Sequence, residues 1–405
     1  MSDNKSIKVL MVSTEYPPMH GGVGRYTYNL VRDLRKNGLI VKIICNERGH
    51  GDYFGLAPSN DKNYEMVLDT IQEFLPDIVH VQYEHGLYGL FLDPVNPSKT
   101  KTNIDPLYDK CTVPIVTTFH TSFTFKQWMN LVIPTKNYYK LGRISKIAHK
   151  LKKYYTHLIN YNSFNKLNKT VLKKSSQGIV FSNYMRDMVG GGKVIYHGAE
   201  GVMPFPPSKR EARARFALPE NGRIALAVGF RTATKGWDIF KKMEVPSPWN
   251  IVINSSKNHY NLENFNLRFD GKKQLISLDM DFLNDTELSL LFHSADAVIL
   301  PYKVSSGSGV MFDALAHNLP FVASNLGFFK EFSSLGLGLT VNRHPDSFTE
   351  ALKKLESNYD FYLKNVNAFR AKLRWDFIAQ NHMQIYGDVI KTSSQIRNET
   401  QKPSI

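Results

Sequence analysis

The chain has 405 residues, of which 42% are hydrophobic, and it carries 51 Lys and Arg against 36 Asp and Glu, a formal net charge of +15. This length fits two domains or one large domain, and the apolar content excludes a disordered or low-complexity chain. Two cysteines, Cys45 and Cys111, are too few for a disulfide framework, so we expect a reducing compartment.

The first residues lack a signal-peptide pattern, because their apolar run, residues 9–12, is too short for a signal core. No apolar stretch approaches the roughly 18 residues that a membrane-spanning helix needs. We therefore expect a cytoplasmic protein.

The excess positive charge is confined to one part of the chain. Residues 110–186 contain fourteen basic residues and no Asp or Glu, which leaves 37 basic and 36 acidic residues elsewhere. This basic segment accounts for almost the whole imbalance.

Short apolar runs alternate with helical patterns along the first half of the chain. They predict strands at residues 8–12, 39–45, 78–81, 114–118, 178–181 and 193–196. Strands separated by helices indicate a parallel, doubly wound sheet. Residues 204–207 then hold three prolines, and because proline removes backbone donors, we place a linker at residues 201–207.

The alternation restarts after this linker, with strands predicted at residues 224–228, 251–253, 274–278, 297–300 and 320–323. We expect an α/β fold with two Rossmann-like, doubly wound domains, residues 1–200 and 201–375, facing across a cleft. Residues 376–405 are predicted to form a helix that crosses back to the first domain, with a frayed tail from Ser393. Open parallel sheets bind ligands at the carboxyl ends of their strands, so the cleft is the expected active site.

Three loops that follow predicted strands carry candidate binding residues. In residues 15–24, Gly21 and Gly22 open a helix whose amide groups can meet an anion, although a tight turn without a ligand is the alternative. In residues 229–236, Arg231 and Lys235 can hold a diphosphate, and solvated surface cations are the alternative.

The third loop joins a strand to a helix through serines and glycines, residues 305–309. Its amide groups can face a phosphate, and Asp313 can bond the vicinal hydroxyls of a ribose. An acid early in a helix is also favourable for the helix dipole alone.

Together these segments resemble the retaining GT-B glycosyltransferases of glycosyltransferase family 4, over nearly the whole chain. Residues 15–26 are similar to the family's E-Y-P-P-x-x-G-G-V-G-R-Y opening, and residues 117–120 resemble its strand that ends in an active-site histidine. Four further segments resemble the family's V-I-x-N/H-G, G-R-x-x-x-x-K-G, A-D-v-x-v-x-P and W-x-x-I-A…Y patterns, in the family's order: residues 193–198, 229–236, 295–301 and 373–386.

The resemblance implies the GT-B fold and a hexosyltransferase that moves a sugar from a nucleotide diphosphate sugar to an acceptor hydroxyl with retained configuration. It also implies that no metal or other cofactor is needed. The candidate catalytic residues are His120, beside the transferred sugar, and Arg231 and Lys235, which neutralise the diphosphate. The candidate donor-binding residues are Gly21, Gly22, Ser305, Ser306, Gly307, Ser308, Gly309 and Asp313, the last holding the ribose. A core histidine is the alternative for His120.

The sequence departs from the family pattern at three positions. Ser305 stands where the family has its first glutamate, Asp313 where it has its second, and Arg231 is displaced by one from the usual arginine, which here is Phe230. Because serine is a weaker partner for a sugar hydroxyl than a carboxylate, we expect altered donor choice. The alternative is a catalytically reduced protein that binds nucleotide sugar or scaffolds a partner. A sugar-nucleotide epimerase or a phosphorylase is disfavoured by the family-type start and finish.

Two patterns could suggest a metal site. Asp279 and Asp281 imitate a D-x-D motif, which we interpret as a turn and cap feature. His80, His85 and His120 have a spacing that fits no standard zinc arrangement. We therefore predict no metal.

The basic segment contains a predicted basic amphipathic helix, because residues 141–158 place apolar side chains every three or four positions and basic ones mainly opposite. Lysines with interleaved aromatics follow, a pattern that suits an anionic membrane surface. We hypothesise an enzyme that docks through residues 136–174 on the inner face of the membrane, with a lipid-linked or cell-envelope glycan as acceptor. A packed helix with a solvated face is the alternative, and nucleic acid is not expected, because no nucleic-acid-binding motif accompanies the charge.

Overall fold

The computed structural model describes residues 6–131 except 94, 97 and 98, residues 143–256 except 201, 202 and 204, and residues 273–400 except 279 and 281. The side chains of residues 143–153 and 396–400 are outside this description. The chain divides into two compact units, Met1–Ile195 with Ala379–Ile405 (unit 1) and Tyr196–Ile378 (unit 2).

Unit 1 is built from strands that alternate with helices. Its elements before residue 196 are β1 (Lys8–Val12), α1 (Gly22–Lys36), β2 (Ile40–Cys45), β3 (Tyr53–Phe54), α2 (Asn63–Phe74), β4 (Ile78–Tyr83), α3 (Leu107–Lys110), β5 (Ile115–Phe119), α4 (Phe125–Leu131), α5 (Arg143–Lys174), β6 (Gln177–Val180), α6 (Asn183–Val189) and β7 (Lys193–Val194). The strands form a parallel sheet in the order β3-β2-β1-β4-β5-β6-β7. Its central strands are buried on both faces, as β4 illustrates with six buried residues in a row.

Unit 2 repeats this plan. Its elements are α7 (Lys209–Arg215), β8 (Arg223–Phe230), α8 (Asp238–Lys242), β9 (Trp249–Ser256), β10 (Leu275–Ser277), α9 (Asp285–Ser294), β11 (Ala297–Leu300), α10 (Gly309–Ala316), β12 (Phe321–Ser324), α11 (Gly327–Ser334), β13 (Gly338–Val341), α12 (Pro345–Ser357) and α13 (Tyr359–Phe369). The strands form a second parallel sheet in the order β10-β9-β8-β11-β12-β13.

A buried ion pair ties α7 to the central strands of unit 2. Asp296, directly before β11, accepts hydrogen bonds from the Arg213 guanidinium and from the Ile224 amide, each at 2.8 Å. The Arg213 and Asp296 side chains are only 5% and 6% exposed. Because a buried charge is costly without a partner, this pair holds α7 to the start of β8 and β11.

The last helix, α14 (Trp375–Thr400), begins in unit 2 and belongs to unit 1 from Ala379. It continues past Ser393, where the sequence analysis predicted a frayed tail. Side chains near its end bond back to the preceding turn, since the Thr392 and Ser394 hydroxyls donate to the carbonyls of Asp388 and Ile390. The helix thus extends to Thr400, and fraying of its end stays a prediction.

The structure differs from the sequence analysis at several other elements. The strands β3 and β13 were not predicted, and the strand expected at residues 193–196 is confined to Lys193–Val194. From residue 143 on, the basic helix predicted over residues 141–158 lies within α5, which is 32 residues long. Residues 132–142, the side chains of residues 143–153, and Gly201, Val202 and Pro204 of the proposed linker lie outside the described residues. In the part of the chain that is described, no helix is both long and apolar enough to cross a membrane.

Candidate active site

The loop between β1 and α1 contains an acid that packs against its glycines. Gly21 precedes α1 in an extended conformation, and a Cβ atom at this position would overlap the carboxyl group of Glu15. The Gly24 amide donates to Glu15 Oε2 at 3.4 Å, so the acid meets the first turn of α1. A Cβ on the exposed Gly22 would meet no described atom within 4 Å.

Glu15 is 6% exposed, and burial raises the pKa of its carboxyl to about 7, against the opposing effect of the Gly24 amide. The nearby Glu84 carboxylate raises it further. Gly21 therefore has a structural role, because it makes room for this acid. Donor binding by Gly21 and Gly22 stays a prediction.

His120 directly follows β5, at the carboxyl edge of the unit 1 sheet. Its amide donates to the carbonyl of Tyr83, and its Nε2 lies 2.9 Å from Gln82 Oε1 on the neighbouring strand β4. The rings of Tyr26 and Phe181 meet it edge-on, with centroids 5.3 and 5.2 Å away. The imidazole is held on several sides and half-buried, which distinguishes it from a fully buried core histidine.

The cations predicted in unit 2 lie on the segment that follows β8. Arg231 Nε donates to the carbonyl and to the hydroxyl of Ser255, both at 3.0 Å, so the end of β9 orients the guanidinium. Lys235 ends a short 3-10 helix, and its Nζ lies 4.0 Å from the centroid of the Tyr302 ring. Both side chains remain partly exposed.

Residues 229–236 and the serine and glycine loop lie side by side in unit 2. Tyr302, beneath the Lys235 ammonium, follows β11 by two residues, and the Lys303 amide donates to the Thr234 carbonyl at 2.8 Å. Because β8 and β11 are adjacent parallel strands, their carboxyl ends meet at one edge of the sheet. The fold thus brings Lys235 to the loop that leads into α10.

The loop itself is largely buried and ordered by its own hydroxyl groups. The Ser305 hydroxyl donates to the Gly307 carbonyl at 2.8 Å, and the Ser308 hydroxyl caps α10 by accepting from the Met311 amide at 3.2 Å. Ser305, Ser306 and Ser308 are each at most 6% exposed. A Cβ on Gly307 would meet no described atom within 4 Å, which marks an open position between the two buried serines and the helix.

Asp313 lies in the second turn of α10 and is 3% exposed. The first turn of this helix contains no acidic residue, so the simple dipole explanation for Asp313 loses its basis. Its carbonyl accepts from the His317 amide at 3.1 Å. Ribose binding by its carboxylate stays a prediction, as do the roles of Ser305, Ser306, Gly307, Ser308 and Gly309.

Three residues that the sequence pattern does not single out lie near the predicted sites. Glu15 was visible as an acid in an otherwise neutral loop, and Gln82 as a polar residue inside an apolar strand. His197 stacks on Phe312 with the rings 7° from parallel, and its Nε2 lies 3.6 Å from where a Cβ of Gly309 would be. It lies in the segment that resembles the family's V-I-x-N/H-G pattern.

No group of three or more His, Cys, Asp or Glu side chains among the described residues could hold a metal ion. Asp279 and Asp281 lie outside those residues.

Comparison with known proteins finds similarity to glycosyltransferases. Residues 20–198 match the model of Glycosyltransferase Family 4. An uncharacterized glycosyltransferase from Methanocaldococcus jannaschii is 22% identical over 413 residues, which cover 94% of this chain and 98% of the relative.

Two solved structures have a similar fold. Sucrose-phosphate synthase from Thermosynechococcus elongatus superposes with a TM-score of 0.66 at 14% identity, covering 95% of this chain and 100% of that one. Anabaena HepE in complex with UDP and glucose gives a TM-score of 0.61 at 14% identity, with 94% and 100% covered. These similarities identify the chain as a glycosyltransferase with the GT-B fold, related to glycosyltransferase family 4 through residues 20–198.

Proposed function

We propose that the protein is a retaining glycosyltransferase that moves a sugar from a nucleotide diphosphate sugar to a hydroxyl of a lipid-linked or cell-envelope glycan. The observation that carries the proposal is the position of Lys235, whose ammonium group lies at the carboxyl edge of the unit 2 sheet beside the loop that opens α10. The similar fold of HepE, which was crystallised with UDP and glucose, supports a nucleotide-sugar donor.

The chemistry of this proposal is mainly electrostatic. The bond between the anomeric carbon and the diphosphate oxygen breaks, and negative charge builds on the departing diphosphate. Arg231 and Lys235 are fixed cations that stabilise this charge, and a single such interaction is typically worth about 3 kcal/mol in the transition state. The Ser255 contacts keep the Arg231 guanidinium oriented before the donor binds.

Retention of configuration follows if the acceptor hydroxyl attacks on the face from which the diphosphate leaves. The hydroxyl forms the new bond to the anomeric carbon, and its proton passes to the departing phosphate oxygen. His120 then binds a hydroxyl of the transferred sugar and does not act as the nucleophile. Because the two cations supply the positive charge, we propose that turnover needs no metal ion and persists in EDTA.

The proposed donor chemistry is tested with a panel of nucleotide sugars and purified protein. Nucleoside diphosphate release and the mass of the sugar-bearing product are followed together. Arg231→Ala and His120→Ala are expected to lower the release rate, and exposed Lys242, changed to Ala, serves as the control. Proton NMR of the product reports the anomeric configuration, and inversion would contradict the proposal.

The proposed membrane docking rests on the described half of α5. Its lysines Lys166, Lys169 and Lys173 are exposed at three- and four-residue spacing, so they line one side of the helix. Tyr154 and Tyr155, at the other end of the described part, are 51% and 65% exposed. Cations near an anionic surface contribute about 1 kcal/mol each, and aromatic rings favour the interface.

Co-sedimentation with vesicles tests this docking. We expect binding to vesicles that contain phosphatidylglycerol, weaker binding at high salt, and little binding to phosphatidylcholine alone. Changing the three lysines to Glu is expected to lower partitioning on the order of 100-fold. The matched control changes Lys241, Lys242 and Lys330, which are exposed lysines of unit 2, to Glu. Equal binding by both triple variants would contradict the docking surface.

Ser305 favours a second candidate function, a protein that binds nucleotide sugar without transferring it. Its buried hydroxyl donates to the Gly307 carbonyl, so the position offers a neutral group where the family has a carboxylate. Nucleotide-sugar binding in a thermal-shift assay with neither transfer nor hydrolysis for any donor would favour this candidate.

A further inference from the structure

The strand β4 carries two polar side chains inside the core of unit 1. His80 and Gln82 are both 0% exposed, although the other residues of the strand are apolar or aromatic. Residues two apart on a strand point to the same side, so the two side chains are neighbours. Buried polar groups are costly without partners, which makes their contacts informative.

These contacts form a continuous chain from His120 to α14. His120 Nε2 lies 2.9 Å from Gln82 Oε1, and Gln82 Nε2 lies 3.4 Å from His80 Nε2. His80 Nε2 also meets the Thr118 hydroxyl at 2.8 Å, and His80 Nδ1 meets the Tyr386 hydroxyl at 2.7 Å. Tyr386 belongs to α14, so the last helix of the chain reaches the ring of His120 through two intervening side chains.

The direction of each hydrogen bond follows from the amide of Gln82. Its Nε2 also donates to the Met11 sulfur at 3.1 Å, which places the NH₂ group on the side of His80. The carbonyl oxygen therefore faces His120, and because this oxygen can only accept, His120 Nε2 carries the proton. On the other side, His80 Nε2 accepts and its Nδ1 donates to Tyr386.

The state of His80 agrees with this arrangement. Burial, with His382 and His120 nearby, holds the pKa of His80 well below its ordinary value, so the ring is neutral and has one proton to donate. His382 belongs to α14, and its Nε2 lies 3.3 Å from the hydroxyl oxygen of Tyr26 on α1. The His80 ring that Gln82 contacts is thus surrounded by hydrogen-bonded side chains.

We propose that Gln82, held by His80 and Tyr386, is a positioning residue that fixes His120 as the Nε2–H tautomer. This leaves Nδ1 as the acceptor nitrogen of the ring, suited to accept from a sugar hydroxyl. The inference rests on the proposed function for the role of Nδ1, but the tautomer itself is a property of the protein without substrate.

The tautomer is measured first, by NMR of protein labelled with ¹⁵N at histidine, at pH 8. The His120 signals are identified by their loss in His120→Asn. We expect the Nε2–H form in the native protein, a mixture of both tautomers in Gln82→Met, and the Nε2–H form in Gln82→Glu, because a carboxylate also accepts. Gln127→Met, a buried glutamine on α4, is the matched control and leaves the His120 signals unchanged. An unchanged His120 tautomer in folded Gln82→Met overturns the proposal.

Tyr386→Phe keeps the ring and removes only the hydroxyl that His80 meets. It is expected to shift the His80 signals toward the other tautomer, and unchanged His80 signals overturn the part of the proposal that involves α14. If Gln82→Met does not fold, the native spectrum still tests the proposal, because an Nδ1–H form of His120 would overturn it.

Steady-state kinetics then connect the tautomer to turnover. For Gln82→Met we expect kcat to fall about 10-fold, the equivalent of one lost hydrogen bond, with a KM for the nucleotide sugar within about 3-fold of native. Gln82→Glu is expected to recover part of this loss. A shifted tautomer with native kcat would contradict the role of His120 in the proposed function while supporting its positioning by Gln82.

Discussion

Replacing Lys235 by Ala removes a positive charge that we expect to face the leaving diphosphate, and it is expected to cost unit 2 little stability. In the structure the ammonium group makes a cation–π contact with Tyr302 at 4.0 Å. For a partly exposed pair such a contact contributes about 0.5–1 kcal/mol. A loss of this size lowers the Tm of a unit of this length by about 1–4 °C.

The effect on catalysis is expected to be much larger. Loss of one fixed cation facing the developing charge lowers kcat on the order of 100- to 1000-fold, or about 3–4 kcal/mol in the activation barrier. Turnover is measured at saturating nucleotide sugar beside thermal unfolding of the same preparation. Lys242→Ala, an exposed lysine on α8, is expected to leave both quantities near native. If Lys235→Ala keeps kcat within about 3-fold of native, Lys235 does not belong to the site.

Three further changes test the structure around the site. Gly21→Ala forces its new methyl group onto the Glu15 carboxyl, so urea titrations are expected to show a free energy of unfolding lower by about 1–3 kcal/mol. The control, Gly22→Ala, is expected to change this free energy by less than about 0.5 kcal/mol. Equal losses for the two variants would contradict the packing of Glu15. Glu15→Gln tests the raised pKa: the protonated acid favours the folded state below about pH 4.5, and this contribution is lost as the pH rises through about 7. The unfolding free energy of Glu15→Gln, relative to native, should therefore rise by roughly 1–3 kcal/mol from pH 4.5 to above 7, and a constant difference would refute the assignment. Asp296→Ala leaves the Arg213 guanidinium buried without its carboxylate, so denaturation should show a loss of about 3–5 kcal/mol, and a loss below about 1 kcal/mol would show that solvent reaches the pair.

The sequence is most informative where a strand is buried on both faces. The run at residues 8–12 predicts β1 with its observed bounds, because every residue after Lys8 is apolar and buried. The strands β3 and β13 lie at the edges of their sheets and are half-exposed, so their residues carry a weaker apolar signal. The end of α14 also lacks an apolar signal, since polar residues that bond within their own helix have no apolar periodicity.

At the site, the sequence indicates the loops but not the contacts made through the fold. The close approach of the Glu15 carboxyl to Gly21 depends on how the intervening residues turn, which no spacing rule specifies. The contact between His120 and Gln82 requires β4 and β5 to be neighbouring strands. The next contact, between His80 and Tyr386, joins two residues that are 306 positions apart in the sequence. Such pairs can be inferred only after the sheet order and the path of α14 are known.

The central claim is that this chain transfers sugar from a nucleotide diphosphate donor with retention. The most direct measurement is a panel of nucleotide sugars incubated with the protein and a membrane extract, in which nucleoside diphosphate release and sugar-bearing products are quantified together and the new linkage is analysed by NMR. The account predicts that one donor is consumed, that product forms in equal amount, and that the anomeric configuration of the donor is kept. Donor binding without product for the whole panel, or a product of inverted configuration, would contradict it.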